Sequence, residues 1–207
     1  MIKKISLLTL LTLGLLNASQ TLKPILQMGY DFGGTTLASV EHDDNYYGNS
    51  VNKIRAGQGL SFEAGAVVDA PNMELQFLVG YKFDQETASN GDVTWDVIPF
   101  TALAMMKTPY NWNLGGGVTY HLNPKIDGSF SGTGQNGNHF NDEVHDEYED
   151  AIGGVLQIEY MVTENFRIGV KGTFIEYKQK EDNSIKARGN SVGINLSYRF
   201  GGRSQFK

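Results

Sequence analysis

The chain contains no cysteine. Disulfides therefore play no part, and the lipid anchor that bacterial export attaches to a cysteine is excluded. Positive charge is the minority: Lys and Arg number 17 against 23 Asp and Glu, a formal net charge of -6. A chain so balanced has no electrostatic reason to bind nucleic acid, and none is expected as a partner. Beyond residue 19 no apolar run approaches the roughly twenty residues of a membrane helix. If the protein crosses a membrane it must do so as a closed barrel, because only closure satisfies every backbone group in lipid. No linker breaks the 207 residues, which suit one domain.

What is present begins with Lys3 and Lys4, an apolar run from Ile5 to Leu16, and the small or polar residues Asn17, Ala18 and Ser19. That is the order of a secretory signal peptide, and its apolar part is short for a spanning helix. Residues 1–19 are expected to be cleaved, leaving 20–207 as the mature domain. Loss of Lys3 and Lys4 would take the charge to about -8.

Ser191 to Phe200 sets the pattern of the mature chain. Val192, Ile194, Leu196, Tyr198 and Phe200 fall on one side of an extended chain, and Ser191, Gly193, Asn195, Ser197 and Arg199 on the other. Comparable alternation starts near Leu26, Leu60, Met73, Val93, Trp112, Ile152 and Phe166. Eight candidate strands result, with long polar connections after the odd ones and short turns after the even ones. Outer-membrane barrels have this asymmetry, whereas a β-sandwich has no reason to sort its connections by length. In the fourth segment Val93, Trp95 and Val97 are expected to face lipid and Thr94 and Asp96 the lumen, with a bulge or bend near Pro99 because proline cannot donate to the ladder. Pro124 to Asp150 reads as the longest irregular loop. The expected fold is all-β: an eight-stranded antiparallel up-and-down transmembrane β-barrel with four external loops.

Over nearly the whole mature chain the pattern resembles the small eight-stranded outer-membrane β-barrels, the class of the OmpA transmembrane domain and the OmpX and OmpW groups. The most specific piece is the end, where Gly193, Leu196, Tyr198 and Phe200 look like the C-terminal signal read by the barrel-assembly machinery. The chain departs from the family by running on from Gly201 to Lys207. The resemblance implies residence in the cell outer membrane, with outer-membrane lipid and the barrel-assembly machinery as partners.

Alternation sends a balanced set of charges inward: Asp31, Glu63, Glu74, Asp96 and Glu159, against Arg55, Lys82, Arg167, Lys171 and Arg199, with His121 on the same face. In a narrow barrel such groups should pair across the lumen and fill it. The competing reading is a narrow channel for small solutes, although mixed signs argue against strong ion selectivity. The acidic stretch Asn141 to Asp150 makes Asp142, Glu143, Asp146 and Glu147 weak candidates for a divalent cation such as calcium, or for an extracellular ligand. A solvated acidic loop is the plainer reading. Tyr30, Phe32, Tyr81, Phe83, Trp95, Trp112, Tyr120, Tyr160, Phe166, Phe174, Tyr198 and Phe200 are expected in two interfacial girdles on the lipid side. His121 with Ser61 or Ser197 would be the nominal pieces of a lipid-modifying hydrolase, but no motif surrounds them. The expected role is thus non-enzymatic and structural or interactive, without a cofactor.

Overall fold

The computed structural model describes residues 21–42, 50–88, 91–133 and 139–201. The expected signal segment and the tail from 202 lie outside the described residues. The elements are β1 (Thr21–Gly33), β2 (Thr36–His42), β3 (Ser50–Arg55), β4 (Gly59–Asp69), β5 (Met73–Ala88), β6 (Gly91–Lys107) and β7 (Trp112–Thr133), then β8 (His139–Glu147), β9 (Ala151–Met161), β10 (Phe166–Phe174), β11 (Glu176–Lys178), β12 (Lys186–Arg188) and β13 (Ser191–Arg199). All pairings are antiparallel. β1, β4, β5, β6, β7, β9, β10 and β13 form a ring of eight, closed where β1 meets β13 in a register running from Ile25↔Arg199 to Gly33↔Ser191.

One end of the ring carries short turns, bonded by Ala70 N–H to the Met73 carbonyl and by Thr108 N–H to the Trp112 carbonyl. The other end carries long excursions, much of whose described length is paired in strands. β2 pairs with β3, and β11 with β12. β5 and β6 stay paired to Ala88↔Gly91. The stretch expected as the longest loop is instead a β-hairpin, with β7 continuing to Thr133 and pairing with β8 from Lys125↔Glu147 onward. Gly, Ser and Asn suggested a loop there, but an extended neighbour on each side supplies the ladder bonds that outweigh weak strand propensity.

Around the middle of the wall, apolar side chains point out and polar ones in. Leu26, Met28, Phe62, Val79, Val118, Ile158, Ile168 and Ile194 are exposed, while Gln27, Glu63, Gln157, Glu159 and Asn195 are buried. The inward charges need room, and glycine provides it on the facing strand. A Cβ at Gly193 would collide with Asp31 Oδ1, one at Gly80 with the Glu63 side chain, and one at Gly169 with Asn195.

The fourth barrel strand corrects the sequence reading. β6 keeps one alternation throughout, with Val93, Trp95, Val97, Leu103 and Met105 buried and Ile98, Phe100 and Met106 exposed. Trp95 is fully buried and belongs to no girdle. Asp96, paired with Phe83 and Lys125, falls on the face opposite Val97 and Trp95, away from the lumen, and is buried there at 8 % exposure beside Lys125. Pro99 stays in phase, although the β5–β6 ladder skips from Val79↔Phe100 to Lys82↔Val97 around it. The bulge lies across from it on β7: between Asp96↔Lys125 and Ile98↔Leu122 that strand has one extra residue, with Asn123 at φ 49°.

Gly193→Val places a branched side chain where Asp31 already sits. It should prevent β1–β13 closure, seen as loss of the compact unboiled band in detergent gels. An unchanged band would show that the seam can rearrange around it.

Candidate functional site

The lumen is filled in tiers. Nearest the short turns, Glu74 accepts hydrogen bonds from Asn113, Arg199 and Arg167, the last at 2.7 Å. Glu159 accepts from Arg199 at 3.0 Å, Arg167 at 3.3 Å and Gln157 at 2.7 Å. Both carboxylates are 1 % exposed. Higher up, Lys82 donates to Asp31 at 2.7 Å and to the Gly57 carbonyl at 2.6 Å, and Lys171 donates to Glu63 at 2.7 Å. Each tier holds two acids and two bases and is neutral by itself. Ion pairs so deep give back much of their Coulomb gain as desolvation; their firmer consequence is that removing one partner strands another charge.

Above these charges the wall reverses its chemistry. Ile54, Ala56, Val93, Trp95, Ile126, Tyr148, Ala151, Ile175, Tyr177 and Ala187 form one buried apolar cluster, with Leu37 and Ala38 packed against it. These residues come from β3, β6, β7, β9, β11, β12 and the segments beside them, so every long excursion but the β5–β6 tip contributes a side chain. Trp95 meets Tyr148 and Tyr177 edge-on, each at 5.4 Å between centroids. Burial pushes the Tyr177 hydroxyl well above its usual range. It therefore stays protonated and shares a hydrogen bond of 2.6 Å with His121 Nδ1, joining the apolar cap to the ionic lumen. Between cap and charges, the void bounded by Asp31, Glu63, Lys82, His121 and Lys171 amounts to about 10 Å³.

The cap is also tied together through its backbone. Glu149 N–H bonds to the Lys178 carbonyl and Lys180 N–H to the Glu147 carbonyl, while Thr35 N–H bonds to the Arg188 carbonyl. The outer face of this head is charged. Lys125 lies 2.8 Å from Asp127 and 3.6 Å from Asp96, Asp127 pairs with His145, and Lys180 lies 2.6 Å from Glu147.

Of the residues expected inside, Asp31, Glu63, Glu74, Lys82, His121, Glu159, Arg167, Lys171 and Arg199 face inward and are buried. Arg55 and Asp96 do not join them. Arg55 sits between buried Ile54 and Ala56 on β3 and is carried to the opposite face. The candidate cation ligands do not converge either. Glu143 and Glu147 pair with Ser129 and Lys125 on the outer side of the hairpin, whereas Asp146 pairs with buried Ile126 and accepts from Gln179 at 2.8 Å. The Asp142 side chain lies outside the described residues, and among these no group of acids and histidines could hold a metal. His121 is 5 % exposed, and the Ser61 hydroxyl bonds to the Gly29 carbonyl. The amides Gln76, Gln157 and Asn113 and the cap aromatics Tyr148 and Tyr177 were missed by the sequence reading. For Trp95 a signal existed, since extending the odd-in phase from Leu103 and Met105 back along β6 places it inside.

Arg199→Met leaves Glu74 and Glu159 with one cation between them and should cost about 3–5 kcal/mol of unfolding free energy. Lys180→Met, at an exposed pair screened by solvent, should cost far less. Urea titration in detergent compares them, and equal effects would sink the assignment. Asp127 holds His145 protonated above its ordinary range, while Lys125 first and His145 after it hold Asp127 below its own. The His145–Asp127 bond should thus be complete below about pH 6.5 and fade as pH rises through the raised value. A proton NMR titration should show that elevation, and Asp127→Asn should abolish it.

No curated protein matches the chain. Among solved structures, Ail, the attachment invasion locus protein of Yersinia pestis, crystallised with the heparin analogue sucrose octasulfate, is similar at TM-score 0.50 and 11 % identity, covering 88 % of this chain and 100 % of Ail. Neisserial surface protein A matches at TM-score 0.47 and 10 % identity, over 88 % and 100 % of the two chains. The outer membrane protease OmpT of Escherichia coli matches at TM-score 0.39 and 9 % identity, over 87 % and 91 %. At such identities the likeness is one of fold alone. The family is settled by sequence: the model of the outer membrane protein beta-barrel domain matches residues 5–200, and the chain belongs to that family of outer-membrane barrels.

Proposed function

We propose that this outer-membrane barrel is a non-enzymatic, non-conducting scaffold that holds a rigid, charged β-structured head outside the membrane for contact with a partner. The observation that carries the reading is the buried cluster around Trp95, Tyr148 and Tyr177, which caps the lumen at its outer end. Below it the void among Asp31, Glu63, Lys82, His121 and Lys171 amounts to about 10 Å³. Both counts weigh against the solute channel, which needs a continuous wet path. His121 is shut away with Tyr177, which weighs against the lipid-modifying enzyme, since a base must be within reach of its substrate.

The surface left for function is the head. Its outer face alternates acids and bases on β7, β8 and β11, a pattern suited to selecting a partner by charge complementarity. In the same reading residues 1–19 are a cleaved export signal, and the outward row Leu196, Tyr198 and Phe200, with Gly193 in the same strand, is offered to the barrel-assembly machinery.

Purified protein in planar bilayers should give no discrete conductance steps, and regular steps would overturn the scaffold reading. Replacing residues 130–142 by a two-residue turn keeps Ile126 and Tyr148 in the cap. That variant should retain the heat-modifiable barrel while losing at least about tenfold in adhesion of expressing cells to host-matrix or cell surfaces the wild type binds. Undiminished adhesion would remove the hairpin from the contact.

A further inference from the structure

On the outer wall lies a groove of about 450 Å³, lined almost wholly by apolar atoms. Leu26, Ala64, Val79, Phe166 and Tyr198 border one side and Met28, Phe62 and Leu196 the other. The first set is a continuous cross-strand row, Phe166↔Tyr198↔Leu26↔Ala64↔Val79, across β10, β13, β1, β4 and β5. The second is the next row along the strands, Leu196↔Met28↔Phe62. Ala64 sets the floor, because its methyl stands among much larger neighbours.

We propose that this groove is a site for one acyl chain of a periplasmic-leaflet phospholipid. Its direction and length favour that occupant. Phe166 is the first residue of β10 at the short-turn rim, whereas Val79 is the seventh residue of β5. The row therefore climbs from the periplasmic edge toward the middle of the wall. Four inter-strand steps of about 4.8 Å make about 19 Å. Laid obliquely, that matches the roughly 15 Å depth of one hydrocarbon leaflet. Tyr198, at the lower end, is an aromatic suited to the headgroup level. Lipid A belongs to the other leaflet and would have to enter from the long-hairpin end. A second copy centred on the groove by two-fold symmetry would bring hollow to hollow and leave a void, which close packing disfavours.

The test is native mass spectrometry of the full protein extracted from its own membrane in mild detergent. Ala64→Trp fills the floor, and Ala104→Trp, on the exposed side of β6, adds the same bulk elsewhere. Wild type and Ala104→Trp should each retain one phospholipid per barrel, and Ala64→Trp should retain about tenfold less. Ala64→Leu, scored the same way, replaces the tryptophan variant if that one fails to assemble. Absence of phospholipid from the wild type, equal retention by the floor-filled variant, equal loss in both tryptophan variants, bound lipid A instead, or a lipid-free dimer would each overturn the proposal.

Discussion

In hydrocarbon a peptide group has no partner but another peptide group, and a sheet with an edge leaves a row of them unpaired. The pairing of β1 with β13 is what removes that edge, and much of the sequence makes sense as its consequence. Closing eight strands leaves an interior only as wide as side chains can fill. Every inward position must then be packed, paired or glycine. Asp31 and Gly193 meet on the seam itself, so the residue that fills the lumen and the one that makes space for it are neighbours across the closing ladder.

The same wall serves two solvents. Within the membrane, apolar side chains face out and ion pairs face in. Beyond it, Trp95, Ile126 and Tyr177 face in while Asp96, Lys125 and Asp127 face out, the order of a soluble protein. β6 crosses between these regimes with no change of phase, so the switch lies in which residues occupy its odd positions: Val93, Trp95 and Val97 near the head, Thr101 lower down, and Leu103 and Met105 near the short turns. β7 crosses with the bulge at Asn123, which resets its alternation so that Ile126 joins the cap. A bulge also increases local twist and bends a strand.

This two-solvent wall explains what could be read from the sequence. The number of strands, their closure, the sorting of connections by length and the outward rows of the last strand follow from a period of two and one lipid environment. Trp95 and Asp96 depart from the expectation because that environment does not extend along all of β6: an apolar side chain there faces the cap, where no lipid reaches. The loop from Pro124 was misread for a related reason. Propensity is local, whereas β8 exists because β7 extends beside it. Alternation located the inward charges, but no local signal says that Glu74 shares Arg167 and Arg199 with Glu159, because the residues are separated by up to 125 positions and meet only when the ring closes.

On the proposed scaffold reading, a barrel capped at one end by an apolar cluster and holding paired charges below has little use for its interior beyond keeping its own shape. Interior substitutions then act chiefly through folding, while the outer surfaces remain free to differ. Ail shares the fold at 11 % identity, as expected when closure constrains the pattern of polarity rather than particular residues. In this chain the backbone bonds that join β12 to Thr35 and β11 to the end of β8 make the excursions one body with the barrel. If the proposed partner meets this head, a preformed surface loses less conformational entropy on contact than four separate loops would.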